Sequence, residues 1–155
     1  MNQPASLTIV VAAFNEEAAL PALHPRISAV LDSLGLASRI LYVDDGSRDG
    51  TWAVLQSLAR IDPRVSLLRL SRNFGKELAL TAGLDLVDTD AALVLDADGQ
   101  DPPELIPIFI ERWRAGFKVV AAVKSASGES PLMFAVRGAY YRMLEARLPG
   151  HGDCL

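Results

Sequence analysis

The chain has 155 residues, half of them hydrophobic, and a net charge of −4, which suits one domain with a real core and is too short for two ordinary ones. This composition argues against a disordered chain, and the acidic balance against a nucleic-acid partner, which would need a basic face to replace counterions. Cys154 is the only cysteine, so no disulfide can form within the chain and a cytosolic-type setting is the default.

Residues 1–6 carry no basic group ahead of an apolar run, so no signal peptide is expected. No uncharged stretch approaches the ~20 residues of a membrane-spanning helix. Residues 8–13 (TIVVAA) read as a first strand running into Phe14-Asn15-Glu16-Glu17. Over residues 16–34, Leu20, Leu23, Ile27, Val30, Leu31 and Leu34 recur at helical spacing, and Gly35 suits the position after the last turn. Pro25 should kink that helix or mark a late start. Residues 39–44 read as a second strand, 45–50 as a polar turn and 51–60 as a helix stopped by Asp62-Pro63. A third strand is expected over 65–70, a helix rich in small residues over 76–87, and a fourth strand over 91–95 that runs into Asp96-Ala97-Asp98. Asp101-Pro102-Pro103-Glu104 has the pattern of a helix start with a capping box, and that helix should end near Gly116. Residues 117–123 read as a fifth strand and 130–148 as a basic amphipathic helix.

Alternating apolar strands and helices predict a parallel sheet with helices on both faces, and such sheets bind ligands beyond the carboxyl ends of their strands. The acidic pairs fall at those ends: Glu16-Glu17, Asp44-Asp45, and Asp96 with Asp98. A cation or a ligand hydroxyl would offset their mutual repulsion. Asp96 and Asp98 are hard oxygen donors with no His or Cys nearby, which suits Mg²⁺ or Mn²⁺ shared with substrate phosphates; the plainer reading is that they cap the loop. The run from Asp45 to Gly50 imitates the start of a calcium loop, but the twelfth position, Gln56, cannot supply the bidentate Glu such loops need. Asp44 and Asp45 can accept hydrogen bonds from a base N–H or ribose hydroxyls, while Ser47 or Asp49 caps the next helix. Arg69, Arg72 and Lys76 can meet phosphate or balance the acidic rim. Ala79, Thr81, Ala82 and Gly83 suit close helix packing better than a site.

Taken in order, Phe14-Asn15-Glu16-Glu17, Val43-Asp44-Asp45-Gly46-Ser47, Ser71-Arg72-Asn73-Phe74-Gly75-Lys76, Ala82-Gly83 and Asp96-Ala97-Asp98-Gly99-Gln100-Asp101-Pro102-Pro103-Glu104 resemble the family-2 glycosyltransferases. The resemblance runs over about residues 8–142 and is strongest to the dolichyl-phosphate mannosyltransferase and undecaprenyl-phosphate glycosyltransferase branch. It implies an α/β fold of the GT-A type, a Rossmann-like, mostly parallel sheet, within a single domain over 1–155 whose nucleotide-sugar-binding part is about 7–124. It further implies a UDP- or GDP-sugar donor, a polyprenyl-phosphate acceptor and Mg²⁺ or Mn²⁺ as cofactor. Ala13, Asn15, Glu17, Asp44, Asp45 and Lys76 would line the donor pocket. Asp96, Asp98 and Gln100 would contact the metal and diphosphate, the two aspartates counting as catalytic. Lys124 and Arg137 would meet the acceptor phosphate.

The implied chemistry is an inverting single displacement by an already anionic phosphate, which needs no strong base and so fits the unremarkable positions of His24 and His151. The chain departs from the family pattern at Ala12-Ala13-Phe14, where an aromatic or Pro pair is usual, at Gly99 in place of Leu, and at Lys124 in place of Arg. The helix over 130–148 would either pack on the domain or lie at a membrane interface. The family's catalytic domain extends further, so the expectation is a piece of a longer protein at the cytoplasmic face of the membrane. Alone it should bind donor, transfer little sugar, and self-associate or adhere to membranes through exposed apolar surface. Two rivals are a soluble family-2 transferase with a polysaccharide or protein acceptor, and a nucleotide-sugar-binding fragment without turnover.

Overall fold

A computed structural model describes residues 6–122. Four strands, β1 (Ser6–Ala13), β2 (Ala37–Asp44), β3 (Val65–Arg69) and β4 (Ala91–Asp96), form one parallel sheet in the order β3-β2-β1-β4. The connections are α1 (Leu20–Leu34), α2 (Thr51–Ile61) and α3 (Lys76–Leu84); after β4 come a 3-10 turn (Pro103–Leu105) and α4 (Ile106–Arg114). The chain separates into two compact units, Met1–Ile108 and Phe109–Leu155. The first contains the whole sheet; the boundary falls inside α4.

Strand alternation explains how the first unit is layered. Val10 pairs with Leu41 and Ala12 with Val43 in the β1–β2 ladder, and Val10, Leu41 and Val43 share a buried cluster with Ala79 of α3. Tyr42, of opposite parity, turns to the other face, where its hydroxyl meets His24 of α1 at 3.0 Å. Both faces of the central strands are therefore apolar and covered, as a parallel sheet requires. The close approach of α3 depends on Gly83: a Cβ there would lie 2.7 Å from Val10 Cγ1 and 2.9 Å from Val43 Cγ2. The small-residue run is helix packing, as the sequence suggests. On β4, Val94 sits beside Val10 in register yet remains 40% exposed, because α3 packs over β1 and β2.

Several expected boundaries shift. The first helix begins at Leu20, late, with Pro21 in its first turn where no N–H is needed. Residues ahead of it form a turn in which Ala19 and Leu20 donate to the Glu16 carbonyl. Gly35 ends the helix in the left-handed conformation (φ 61°). The small-residue helix stops at Leu84 and continues only as turns to Val87. The segment opens as a 3-10 turn with Pro102, not Asp101, at the N-cap position, and the Glu104 carboxylate, expected to close a capping box, pairs with Arg26 of α1 at 2.7 and 2.9 Å. No fifth strand exists over residues 117–122, and Val119 there is 76% exposed; strand propensity expresses itself only against neighbours that bury the residue. The amphipathic helix expected over 130–148, with Lys124, Arg137 and His151, lies outside the described residues. Among the described residues no helix is long and apolar enough to cross a membrane.

At the edge where the strands begin, a polar network fastens α1 to the approach of β3. Arg64 donates to Asp62, Asp32 and Ser28, and His24 Nε2 lies 3.5 Å from Asp62 Oδ2.

Candidate active site

The strand order reverses direction at β1: the chain moves outward through β2 and β3, then returns to place β4 on the other side. Connections leave such a point in opposite senses and open a crevice at the carboxyl ends of the strands. A cavity of about 230 Å³ occupies that place, lined by Ala12, Ala13, Phe14, Glu16, Asp45, Asn73, Gly75, Lys76, Asp96, Ala97 and Asp98.

Three loops interlock around it. Asn15 adopts φ 57°, an uncommon conformation that Asn tolerates better than most residues. Its N–H donates to Ser47 Oγ at 3.0 Å and its Oδ1 accepts from the Arg48 N–H at 2.9 Å. Glu16 N–H donates to Thr51 Oγ1 at 2.7 Å, and Glu17 Oε2 accepts from Gly50 N–H at 2.6 Å. Asp49, not Ser47, receives the first N–H of α2, from Thr51 at 3.0 Å. The loop after β1 is thus pinned to the loop after β2. That loop is pinned in turn to the segment after β3. Asp45, almost fully buried, accepts from the Phe74 N–H through Oδ1 (2.8 Å) and from the Gly75 N–H through Oδ2 (2.9 Å). Gly46 has φ 68° and touches the Arg72 backbone so closely that any Cβ would clash.

The charges are partly matched. Asp44 is fully buried; Oδ1 accepts from Ser47 N–H at 2.9 Å. Its Oδ2 lies 3.1 Å from Arg69 Nε, an ion pair without the alignment of a hydrogen bond. The Arg69 guanidinium also lies over the Trp52 ring, 5.0 Å from its centroid, and Arg72 lies over Phe74. Lys76 Nζ reaches Asp96 Oδ1 at 2.5 Å, and this bond holds the lysine pKa above its ordinary value. The three cations of the segment therefore balance acidic groups or cover rings; only Lys76 lines the cavity. Asp98 is exposed, its Oδ1 accepting from the Gln100 N–H at 2.9 Å. Burial, together with the negative charges of Asp98 and Asp49, pushes the Glu16 carboxyl above the usual carboxylate range.

Of the residues singled out from sequence, Ala13, Asp45, Lys76, Asp96 and Asp98 come together in this cavity. Asn15 and Glu17 are exposed and spend their side chains on the loop after β2. Asp44 lies beneath, and the Gln100 backbone, through its bond to Asp98, shapes the turn. Asn73 and Gly75 line the cavity without having been given a site role from sequence, and of the acidic pair expected at the end of β1 it is Glu16 that lines it. Glu16 stands next to Glu17 in sequence, and only the turn at Asn15 decides which carboxylate faces inward.

Among the described residues no group of three His, Cys, Asp or Glu forms a ready-made metal cage. The pair Asp96 and Asp98 nevertheless fits Mg²⁺ or Mn²⁺, ions commonly held by one or two carboxylates, with waters and substrate phosphates completing the sphere. Glu16 and Asp98 repel each other in the same cavity, a strain that a cation would relieve.

A family model described as glycosyl transferase family 2 matches residues 8–151. The chain is 39% identical over 145 residues to an uncharacterized glycosyltransferase, YkcC, of Bacillus subtilis, covering 93% of this chain and 45% of that protein. It is 42% identical over 119 residues to the bactoprenol glucosyl transferase of Shigella phage SfV (77% and 39% covered). It is 41% identical over 125 residues to the undecaprenyl-phosphate 4-deoxy-4-formamido-L-arabinose transferase of Pseudomonas paraeruginosa (80% and 37%). Among solved structures, residues 1–349 of TarS from S. aureus superpose with a TM-score of 0.54 at 18% identity, covering 83% of this chain and 39% of that one. The chain thus spans less than half the length of these curated relatives. The fold is of the GT-A type.

Proposed function

The chain belongs to glycosyl transferase family 2, and from that membership we propose that it is the donor-binding part of an enzyme that moves a sugar from a UDP- or GDP-sugar onto a polyprenyl phosphate. The observation that carries this reading is the cavity between β1 and β4, where Asp96, Asp98 and Lys76 converge beside Glu16 and Asp45. Paired carboxylates able to share a divalent cation with phosphate, next to an ammonium, suit a sugar diphosphate. The lipid acceptor is supported by the bactoprenol and undecaprenyl-phosphate transferases among the relatives.

In the proposed reaction an acceptor phosphate oxygen bonds to the anomeric carbon as the bond from that carbon to the donor's diphosphate breaks. The nucleoside diphosphate leaves and the anomeric configuration inverts. Mg²⁺ or Mn²⁺ at Asp96, Asp98 and Gln100 would supply charge stabilisation to the departing diphosphate. The chain's own contribution is the rigid rim. Asp45 holds the segment that carries Lys76, and the bonds of Asn15 and Glu17 hold the loop after β1 to the loop after β2. Asp45, which lines the cavity, would accept from a nucleoside's N–H or hydroxyl donors, while the fully buried Asp44 supports the turn beside it through the Ser47 N–H. Ala13, at the end of β1, lets the donor approach the backbone. Lys124 and Arg137 belong to the acceptor side of the proposal, which places the whole protein at the cytoplasmic face of the membrane.

Calorimetric titration with UDP-glucose and GDP-mannose, with and without Mn²⁺, tests the reading. One of the two should bind, more tightly with the metal. Failure of both under Mn²⁺ would overturn it.

A further inference from the structure

We propose that the Lys76 ammonium is a tethered counter-ion: it competes with a divalent cation for Asp96 and passes to the donor's diphosphate when that cation binds. The inference rests on the donor-binding reading above and adds a role for a residue in the same cavity.

The geometry argues for it in three ways. First, Lys76 Nζ sits 2.5 Å from Asp96 Oδ1, so the carboxylate already neutralises one cation and a metal at Asp96 would share its charge with the lysine. Second, the lysine is held at its root and loose at its tip. It is the first residue of α3, and the residues just before it, Phe74 and Gly75, are bonded through their N–H groups to the buried Asp45 carboxylate. Its side chain, by contrast, is 53% exposed against 24% for Asp96; a flexible four-carbon stem on a fixed Cα can move its charge several ångströms at little cost. Third, the position is locally unfavourable for a cation, because the N-terminal end of a helix carries positive partial charge. The bond to Asp96 compensates for that placement, and an arriving diphosphate would do so better.

The neighbouring cations cannot take this part. Arg69 is engaged by Asp44 and stacked on Trp52, and Arg72 lies over Phe74. A partly exposed ion pair is weak enough to yield, whereas a dication shared between Asp96, Asp98 and a diphosphate gains from several anionic oxygens at once. Lys76 would thus keep the acidic cavity balanced before the donor arrives and add a phosphate contact afterwards.

The test uses the chain as it stands, with Lys76→Gln and Lys76→Arg and circular dichroism to confirm folding. In the first arm, Mn²⁺ alone is titrated and its free concentration read by electron paramagnetic resonance. Lys76→Gln should bind Mn²⁺ roughly three- to fivefold more tightly than the wild type, the span open to a partly exposed ion pair. In the second arm, UDP and GDP are titrated at saturating Mn²⁺. Lys76→Gln should bind the accepted nucleotide roughly tenfold more weakly, as loss of a bond to a charged group predicts, and Lys76→Arg should recover part of that loss. The two effects carry opposite signs, which a merely structural lysine would not produce. Unchanged or weaker Mn²⁺ affinity in Lys76→Gln overturns the competition. Tighter Mn²⁺ binding with unchanged nucleotide affinity overturns the hand-over. If no variant and no wild-type sample binds either nucleotide, the donor-binding reading falls and the hand-over with it, while the first arm still decides the competition.

Discussion

Asp45→Asn offers the sharpest probe of how the cavity is built. In the native loop the buried carboxylate accepts two backbone N–H groups, one on each oxygen, at 2.8 and 2.9 Å. The amide preserves the shape but has one acceptor oxygen. Whichever way it turns, one of the Phe74 and Gly75 N–H groups faces an NH₂ donor, and the remaining bond loses its charge assistance. Hydrogen bonds to a charged group contribute about 1.5–3 kcal/mol, and a buried donor left without a partner costs about 1–3 kcal/mol. The substitution should therefore weaken the hold on the Phe74-Gly75 segment by about 2–3 kcal/mol. Much of that loss can be absorbed by local release of the segment, so the informative assay is amide hydrogen exchange. Protection of the Phe74 and Gly75 amides should fall roughly 30- to 150-fold relative to wild type, with urea unfolding changed by an equal or smaller amount. Because the same segment carries Lys76, nucleotide affinity should fall as well. Unaltered exchange at both amides would show that Asp45 does not anchor this segment.

Asp98→Ala should abolish Mn²⁺-dependent nucleotide binding while leaving thermal unfolding within a degree or so, since surface changes seldom exceed about 0.5 kcal/mol and Asp98 is exposed; equal affinity for UDP or GDP under Mn²⁺ would refute this. Burial holds the His24 pKa below its ordinary value, outweighing the attraction of Asp62. The unfolded chain therefore takes up that proton first. His24's contribution is complete above about pH 7 and is lost as pH falls through 6.5 toward the lower folded value. Urea unfolding from pH 8 to 5 should show this decline, and His24→Gln should flatten it. Gly83→Val should destabilise the domain by about 1–3 kcal/mol, the usual cost of overpacking, because a Cβ already falls 2.7 Å from Val10 Cγ1; a urea midpoint equal to wild type would contradict the packing described.

The order of strands and helices was legible because each element carries its own period: continuous apolar runs over β1 and β2, helical spacing from Leu20 to Leu34, and Gly35 where a left-handed turn ends the helix. The parts that could not be read depend on partners distant in sequence. Glu104 looks like one half of a capping box, yet Arg26 takes its carboxylate. Residues 117–122 have strand-like composition but no strand forms there, and nothing in a local pattern announces that.

The same division holds for the site. Sequence alone determined that carboxylates would stand at the carboxyl ends of parallel strands, because strand polarity and the position of each Asp in its run are local facts. It also carried the family resemblance, since the motifs are contiguous. Only the tertiary structure decided which of those groups share a cavity. The return of the chain to pair β4 with β1 brings Asp96 beside Glu16 and Lys76. The left-handed turn at Asn15 and the bonds of Asp45 then choose Glu16 over Glu17 and direct Lys76 onto Asp96. Side-chain period cannot encode those choices, because they are set by backbone geometry in loops and by electrostatics between residues that meet only after the sheet has formed.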